Sequence, residues 1–268
     1  ATRITKVLEK FDDELFIVGA DDDYPLIEVF LEAESFLKNN LDYKMAIGGT
    51  IGLRLLDNNE AQAKLLYSRT IEQNSPIERI NHFSKWPYPT TYALVRREHY
   101  INRIKWADFG VMPGFGDFTM GFHDCIGGKI KAIDKICYFQ TTNKVHSNIR
   151  RKNNLFYIEN AKNVLATKKH YKDILLQIES VTEARAEQIS TRLVNTRVAE
   201  LITPAKQNTK GFGNSELFKE KENLAQYRNF ENIFKVGSAN REQVLPQFKM
   251  IIKNMIELES SNTDNLKE

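Results

Sequence analysis

The chain has 268 residues, of which 41% are hydrophobic and 27% charged, a make-up that suits one substantial soluble domain, or one domain with a helical appendage. Its 38 basic and 35 acidic residues leave a formal charge of +3. So small an excess argues against a dedicated nucleic-acid-binding protein, which concentrates basic charge on one face, but leaves room for a local basic patch toward an anionic ligand.

Cys125 and Cys137 form no Cys-x-x-Cys pair, which argues against a zinc knuckle and for reduced thiols in a cytoplasmic protein. No apolar run reaches the roughly 18 residues of a membrane span. The opening ATRITKVLEKFDDEL lacks the apolar centre of a signal peptide. Ile4, Val7 and Leu8 at helical spacing predict an amphipathic helix there, entered part-way through a fold. LFIVGA (15–20) is a short apolar run of the kind a buried parallel strand shows, and it runs into three consecutive aspartates. PLIEVFLEAESFLKNN (25–40) predicts a helix, with Pro25 in its first turn and Leu26, Val29, Phe30, Ala33 and Leu37 as its apolar stripe. YKMAIGGTIGLRLL (43–56) predicts one strand, or two broken at Gly48 and Gly49. AKLLYSRT (63–70) is a further strand candidate. SPIERINHFSKW (75–86) predicts a short helix with Ser75 as cap and Glu78 completing a capping box. TTYALVRREHY (90–100) begins as a strand and turns helical. PGFGDFTMGFHDCIGGK (113–129) predicts a glycine-rich turn and a helix, and KIKAIDKICYFQTT (129–142) a strand.

Near residue 150 the polar stretch NIRRKNN marks a change of character. Helices are predicted at about 155–180, 182–202, 215–234 and 245–260. The last has Leu245, Phe248, Ile251, Ile252, Met255 and Ile256 on one face and Pro246 in its first turn. TPAKQNTKGFGNS (203–215) is loop-like in composition, and the last ten residues read as a frayed tail. The expected fold class is therefore α/β over residues 1–150 followed by an α-helical region over 151–268.

In open α/β sheets, ligands bind beyond the carboxyl ends of the strands, which is where the aspartates stand. On a strand-like segment Asp21 and Asp23 point one way and Asp22 the other. Two carboxylates on one side make a hard oxygen site for Mg²⁺ or Mn²⁺, whose remaining ligands come from water and a substrate diphosphate. A plainer role is open as well: Asp22 or Asp23 caps the helix that begins at Pro25.

With the rest of residues 1–150 in view, the sequence resembles the nucleotide-sugar glycosyltransferases of the GT-A fold, in particular a bacterial branch associated with surface polysaccharides. IVGADDDY matches the apolar strand that ends in the family's Asp-x-Asp motif. TIEQ, PIERINHFS and PTTYALVRRE match the region that follows the motif, and DFTMGFHDCIGGKIKAIDKICYF (117–139) matches a helix opened by an acid that runs into Gly-Lys and a strand. The resemblance implies a Rossmann-like mixed sheet and a metal-dependent transfer of sugar to a glycan or lipid-linked acceptor. Asp21 and Asp23 then match the motif's two acids, Asp21 and Asp22 are expected to bind the cofactor, and Asp23 is expected to bind Mn²⁺ or Mg²⁺ directly.

Asp117 matches the acid that serves as catalytic base in inverting members. An acceptor hydroxyl must lose its proton as it attacks the anomeric carbon, and a positioned carboxylate can take it. Asp117 can equally be an N-cap. His146 stands where many members place a further metal ligand, though it also reads as a surface histidine in a polar loop. Gln140 stands where the family often has an arginine, which leaves Arg150, Arg151 and Lys152 as candidates for the diphosphate clamp, or as a solvated basic run. Trp86, Tyr88 and Tyr92 offer an acceptor platform, with core packing the plainer fate of Tyr92. Arg79 and Arg96 match family positions or form structural ion pairs.

One departure concerns the front of the domain. The family's nucleobase-binding strand and helix units precede the Asp-x-Asp strand, and here that motif is reached at residue 21, so the sheet is expected to be N-terminally truncated. An alternative function follows: a non-catalytic, glycosyltransferase-like subunit whose open sheet edge takes a partner chain or a second copy. A nucleotidyltransferase would want a glycine-rich or basic phosphate loop near the N-terminus, and none is present. The expected location is cytoplasmic, compatible with peripheral association at the inner face of the membrane, with no nucleic-acid partner.

Overall fold

A computed structural model describes residues 6–8, 10–19, 23–55, 61–85, 87–107, 115–141, 161–202, 228–229 and 239–264. Its axis is a 13-residue strand, Tyr43–Leu55, with Met45, Ala46, Ile47, Ile51 and Leu53 inaccessible to solvent. Among the described residues, seven strands join in one curled mixed sheet. In chain order they are β1 (Leu15–Phe16), β2 (Tyr24–Pro25), β3 (Tyr43–Leu55), β4 (Ala61–Leu66), β5 (Leu94–Arg96), β6 (Lys129–Thr141) and β7 (Arg228–Asn229). On one side β3 pairs in parallel with β6, from Tyr43↔Lys129 to Leu53↔Thr141. Its other side is shared: Met45 and Ala46 pair antiparallel with β5, and Thr50 to Leu55 pair antiparallel with β4. Of the two alternatives for this stretch, one continuous strand holds, and the Gly48–Gly49 dipeptide marks register shifts against β6 within it. Short strands complete the edges, with β1 on β5, β2 on the far end of β6, and β7 on β4.

The helices cover this sheet. Helix α1 (Ile27–Asn39) buries Val29, Phe30, Ala33 and Leu37, the stripe read from the sequence. Helix α2 (Pro76–Lys85) opens on proline, whose missing N–H costs nothing in a first turn. It packs on α4 (Gly116–Gly127), where the tip of the Phe83 ring reaches Gly121; any Cβ at Gly121 would overlap that ring. Between them, α3 (Arg97–Ala107) continues directly from β5. Beyond residue 160, α5 (Ala161–Leu175) and α6 (Glu183–Ile202) pack together, and α7 (Ala239–Asp264) lies against β3 and β6 with Val244 and Ile251 fully buried. None of the described helices is long and apolar enough to cross a membrane.

Several local expectations are corrected. The run Leu15–Val18 is half-buried, and its two strand residues pair antiparallel with β5. An apolar run alone does not encode strand direction; the partner decides it. Pro25 lies in β2 opposite Tyr138, and α1 starts two residues later at Ile27. Within the helix expected over 215–234, Arg228–Asn229 is instead a strand paired with Gln62 and Ala63 of β4, and the rest of that range lies outside the described residues. Helix α7 begins at Ala239, so Pro246 sits in its interior and leaves one carbonyl of the preceding turn without its usual donor.

Candidate active site

The end of β6 and the turn before β5 build the surroundings of Asp23. Pairing of Tyr24 with Phe139 and Pro25 with Tyr138 fixes the backbone just after the aspartates, and the Leu26 N–H donates to the Cys137 carbonyl at 2.9 Å. Asp23 therefore lies over the last residues of β6. The Thr141 N–H donates to Asp23 Oδ1 at 2.9 Å, and the Tyr92 hydroxyl donates to Asp23 Oδ2. The Gln140 amide donates to the Tyr92 oxygen at 3.2 Å. The Tyr92 ring stacks on the Tyr138 ring, with centroids 4.2 Å apart and planes 27° from parallel. The chain leading into the aspartates crosses this stack closely. A Cβ at Gly19 would stand 2.6 Å from the Tyr138 hydroxyl oxygen, so only glycine passes there without displacement.

Asp117 comes to the same place from another element. It is the exposed second residue of α4, and Thr91, the neighbour of Tyr92, donates to its Oδ1 at 3.4 Å. The N-cap of α4 is Phe115, without a side-chain cap bond, so the N-cap reading of Asp117 is corrected. The cap reading of Asp23 is corrected too, since α1 is preceded by Leu26 and carries no side-chain cap. The turn at residues 90–92 thus reaches both acids, Asp117 through Thr91 and Asp23 through Tyr92. Burial, then the bond to Asp23, raises the Tyr92 phenol far above its ordinary range. Burial and the Asp23 charge push Tyr138 up to about 12. Both phenols hold their protons at neutral pH, so Tyr92 stays a donor.

Asp21, Asp22 and His146, and with them Trp86, Arg150, Arg151 and Lys152, lie outside the described residues. Among the described residues no group of three His, Cys, Asp or Glu side chains could hold a metal ion. What the described part contributes is one carboxylate with hard oxygen donors. It is anchored at both oxygens, Oδ1 by the Thr141 N–H and Oδ2 by the Tyr92 hydroxyl. That chemistry suits Mg²⁺ or Mn²⁺.

Other expected residues have structural work. Tyr88 is buried and donates to the Arg69 carbonyl at 2.6 Å. Arg79 forms no ion pair among the described residues; its guanidinium satisfies the carbonyls of Cys125 (2.7 Å), Gln73 and Asn74 (each 2.8 Å) and Ile126 (3.2 Å), tying α2 to the end of α4. Arg96 is an ion-pair residue as expected, bound to Glu14 and to the carbonyls of Leu37 and Tyr43. Cys125 and Cys137 are buried free thiols, and burial raises both, Cys137 to about 12.

Sequence reasoning missed a buried ionic centre. Asp124 accepts from His99 at 2.9 Å and from Arg103 at 3.1 Å. Burial alone would raise Asp124, but the Arg103 charge and the His99 bond outweigh it and hold the carboxyl below its ordinary range. The reach of Tyr92 to Asp23 was also missed, since 69 residues separate them.

Compared with protein-family models the chain matches none, and the search of curated proteins returned no match.

Proposed function

We propose that the chain is a metal-dependent glycosyltransferase of GT-A type that moves a sugar from a nucleotide-sugar donor to a glycan or lipid-linked acceptor, with inversion, in cell-surface polysaccharide synthesis at the cytoplasmic face of the membrane. The observation that carries this reading is the convergence of Asp23 and Asp117 on one turn, where Tyr92 bonds the first and Thr91 the second. The order and spacing of the matching segments add to it.

In this reading Asp23 would hold Mn²⁺ or Mg²⁺, with His146 as a further ligand and Asp21 and Asp22 as cofactor-binding acids. The ion supplies positive charge for the departing nucleoside diphosphate. The chain's own part is to place two carboxylates with different tasks. Asp23, held at both oxygens, keeps its direction. Asp117, exposed and held by one long bond, is free to accept the proton of the attacking hydroxyl.

The test is calorimetric titration of the chain with UDP, GDP, CDP and dTDP, each with and without Mn²⁺. Metal-dependent binding of one nucleotide, abolished in Asp23→Ala, is the expected result and names the donor class. A folded sample that binds none of them sinks the reading. One observation favours the second reading, a non-catalytic subunit. Among the described residues β1 pairs only with β5, so its other edge can take a strand from another chain. Loss of nucleotide binding together with stable self-association or capture of a partner strand would favour that alternative.

A further inference from the structure

We propose that Tyr92 and Gln140 form a positioning relay for Asp23, in which the Gln140 amide fixes the direction of the Tyr92 hydroxyl and Tyr92 in turn fixes the carboxylate for a divalent cation; this rests on the metal reading of Asp23 given above.

A phenol oxygen both donates and accepts, and its single proton can turn. Here one neighbour removes that freedom. Gln140 Nε2 donates to the Tyr92 oxygen at 3.2 Å, so the phenol's own proton is directed at Asp23 Oδ2. The other carboxylate oxygen, Oδ1, receives the Thr141 N–H at 2.9 Å. Gln140 and Thr141 are consecutive residues at the end of β6, and Tyr24 and Pro25 are paired with β6 at Phe139 and Tyr138. One strand end therefore supplies the backbone donor, the amide that orients the phenol, and the pairing that places Asp23. The stack of Tyr92 on Tyr138 fixes the phenol's ring plane. Two donors on opposite oxygens leave a carboxylate little freedom to rotate, which is what a cation ligand needs.

The relay also gives Gln140 a task of its own. A cation at this position would compete with Tyr92 for the carboxylate, or pair with Asp23 directly. A neutral amide adds a donor without neutralising the charge the metal is to meet.

The experiment uses the full chain and Mn²⁺ alone, followed by electron paramagnetic resonance of the free ion, in the wild type, Tyr92→Phe, Gln140→Leu and the double variant. Tyr92→Phe keeps the ring and its stack and removes only the hydroxyl. Its Mn²⁺ affinity is expected to fall about 10- to 100-fold, the usual cost of losing a partner behind a metal ligand. Gln140→Leu should fall in the same direction by less. The double variant should be no weaker than Tyr92→Phe, because Gln140 acts through Tyr92. Thermal unfolding of each variant is the control for a merely structural role. A Tyr92→Phe protein with a lowered midpoint and unchanged Mn²⁺ affinity overturns the positioning role while leaving the metal reading in place. Fully additive losses overturn the relay from Gln140. A folded wild type that takes up no Mn²⁺ overturns the metal reading and the relay with it.

Discussion

At the scale of single residues, Asp117 separates chemistry from architecture. It sits in the first turn of α4, where an acid gains roughly 0.3–1 kcal/mol from the helix dipole whatever else it does. Asp117→Asn keeps the shape and can still accept the Thr91 hydroxyl, but it cannot take up a proton at neutral pH. If the side chain is the base, nucleotide binding should be unchanged while sugar transfer falls by about a hundred- to ten-thousand-fold, the range ascribed to general base catalysis. A variant that loses only a few tenths of a kcal/mol in urea unfolding and transfers at the wild-type rate would make Asp117 a helix-end charge and nothing more. The resemblance singles out Asp117, which matches the acid that opens the family's acceptor-side helix. It gave no sign that Thr91 and Tyr92 would reach the two acids, since that depends on how β5 and β6 flank β3. Tyr92 was visible only as one member of an aromatic group.

Helices α4 and α5 meet through a pair of histidines, and their contact sets a pH dependence at the scale of elements. His123 is fully buried, and its Nε2 lies 3.3 Å from that of His170 on α5. Burial first, then the neighbouring His170, lowers His123 to about 3; Asp124 opposes this, while Arg103 and His99 add to it. Burial lowers His170 as well, with Asp173 opposing. An unfolded histidine takes its proton near 6.5, whereas the folded His123 refuses it until about 3. Stability is therefore full above pH 6.5 and is lost as the pH falls, by about 1.4 kcal/mol per unit for this one group. Between pH 7.5 and 5 the loss is about 2 kcal/mol, and His123→Gln should remove most of it. Urea midpoints at the two pH values check this; equal shifts in wild type and variant would assign the acid sensitivity elsewhere. The elements themselves were largely legible. The stripe on α1, the long strands β3 and β6 and the switch from β5 into α3 follow from periodicity over ten or more residues. The two-residue strands β1, β2 and β7 were not, because their state is set by the partner strand rather than by their own side chains. Pro246 misled for the same reason: burial of Val244 and Ile251 holds α7 together through the proline.

For the whole molecule the question is whether residues 1–150 and the helices that follow unfold separately, as the change of sequence character near residue 150 suggests. The packing crosses that point. Tyr171 of α5 is fully buried, shares a 2.7 Å hydrogen bond with Thr119 of α4, and places its ring 4.7 Å from that of Phe122. Arg192 of α6 bonds Asn81 of α2, and α7 lies on β3 and β6. A cavity at Tyr171 would open between the two parts and belong to neither. Tyr171→Ala should cost about 3–5 kcal/mol, the usual loss for a buried aromatic side chain. Two probes can follow it separately. Both tryptophans, Trp86 and Trp106, precede residue 150, so their fluorescence reports the first part, while circular dichroism at 222 nm weighs all the helices, including α5, α6 and α7. A single cooperative unit requires the two urea transitions to coincide in the wild type and to move together in Tyr171→Ala. If the dichroism shifts and the fluorescence stays, the helical region is a separate folding unit that docks on the sheet. The contact of Tyr171 with α4, the helix that carries Asp117, would then stabilise the docked state without governing the fold of the site.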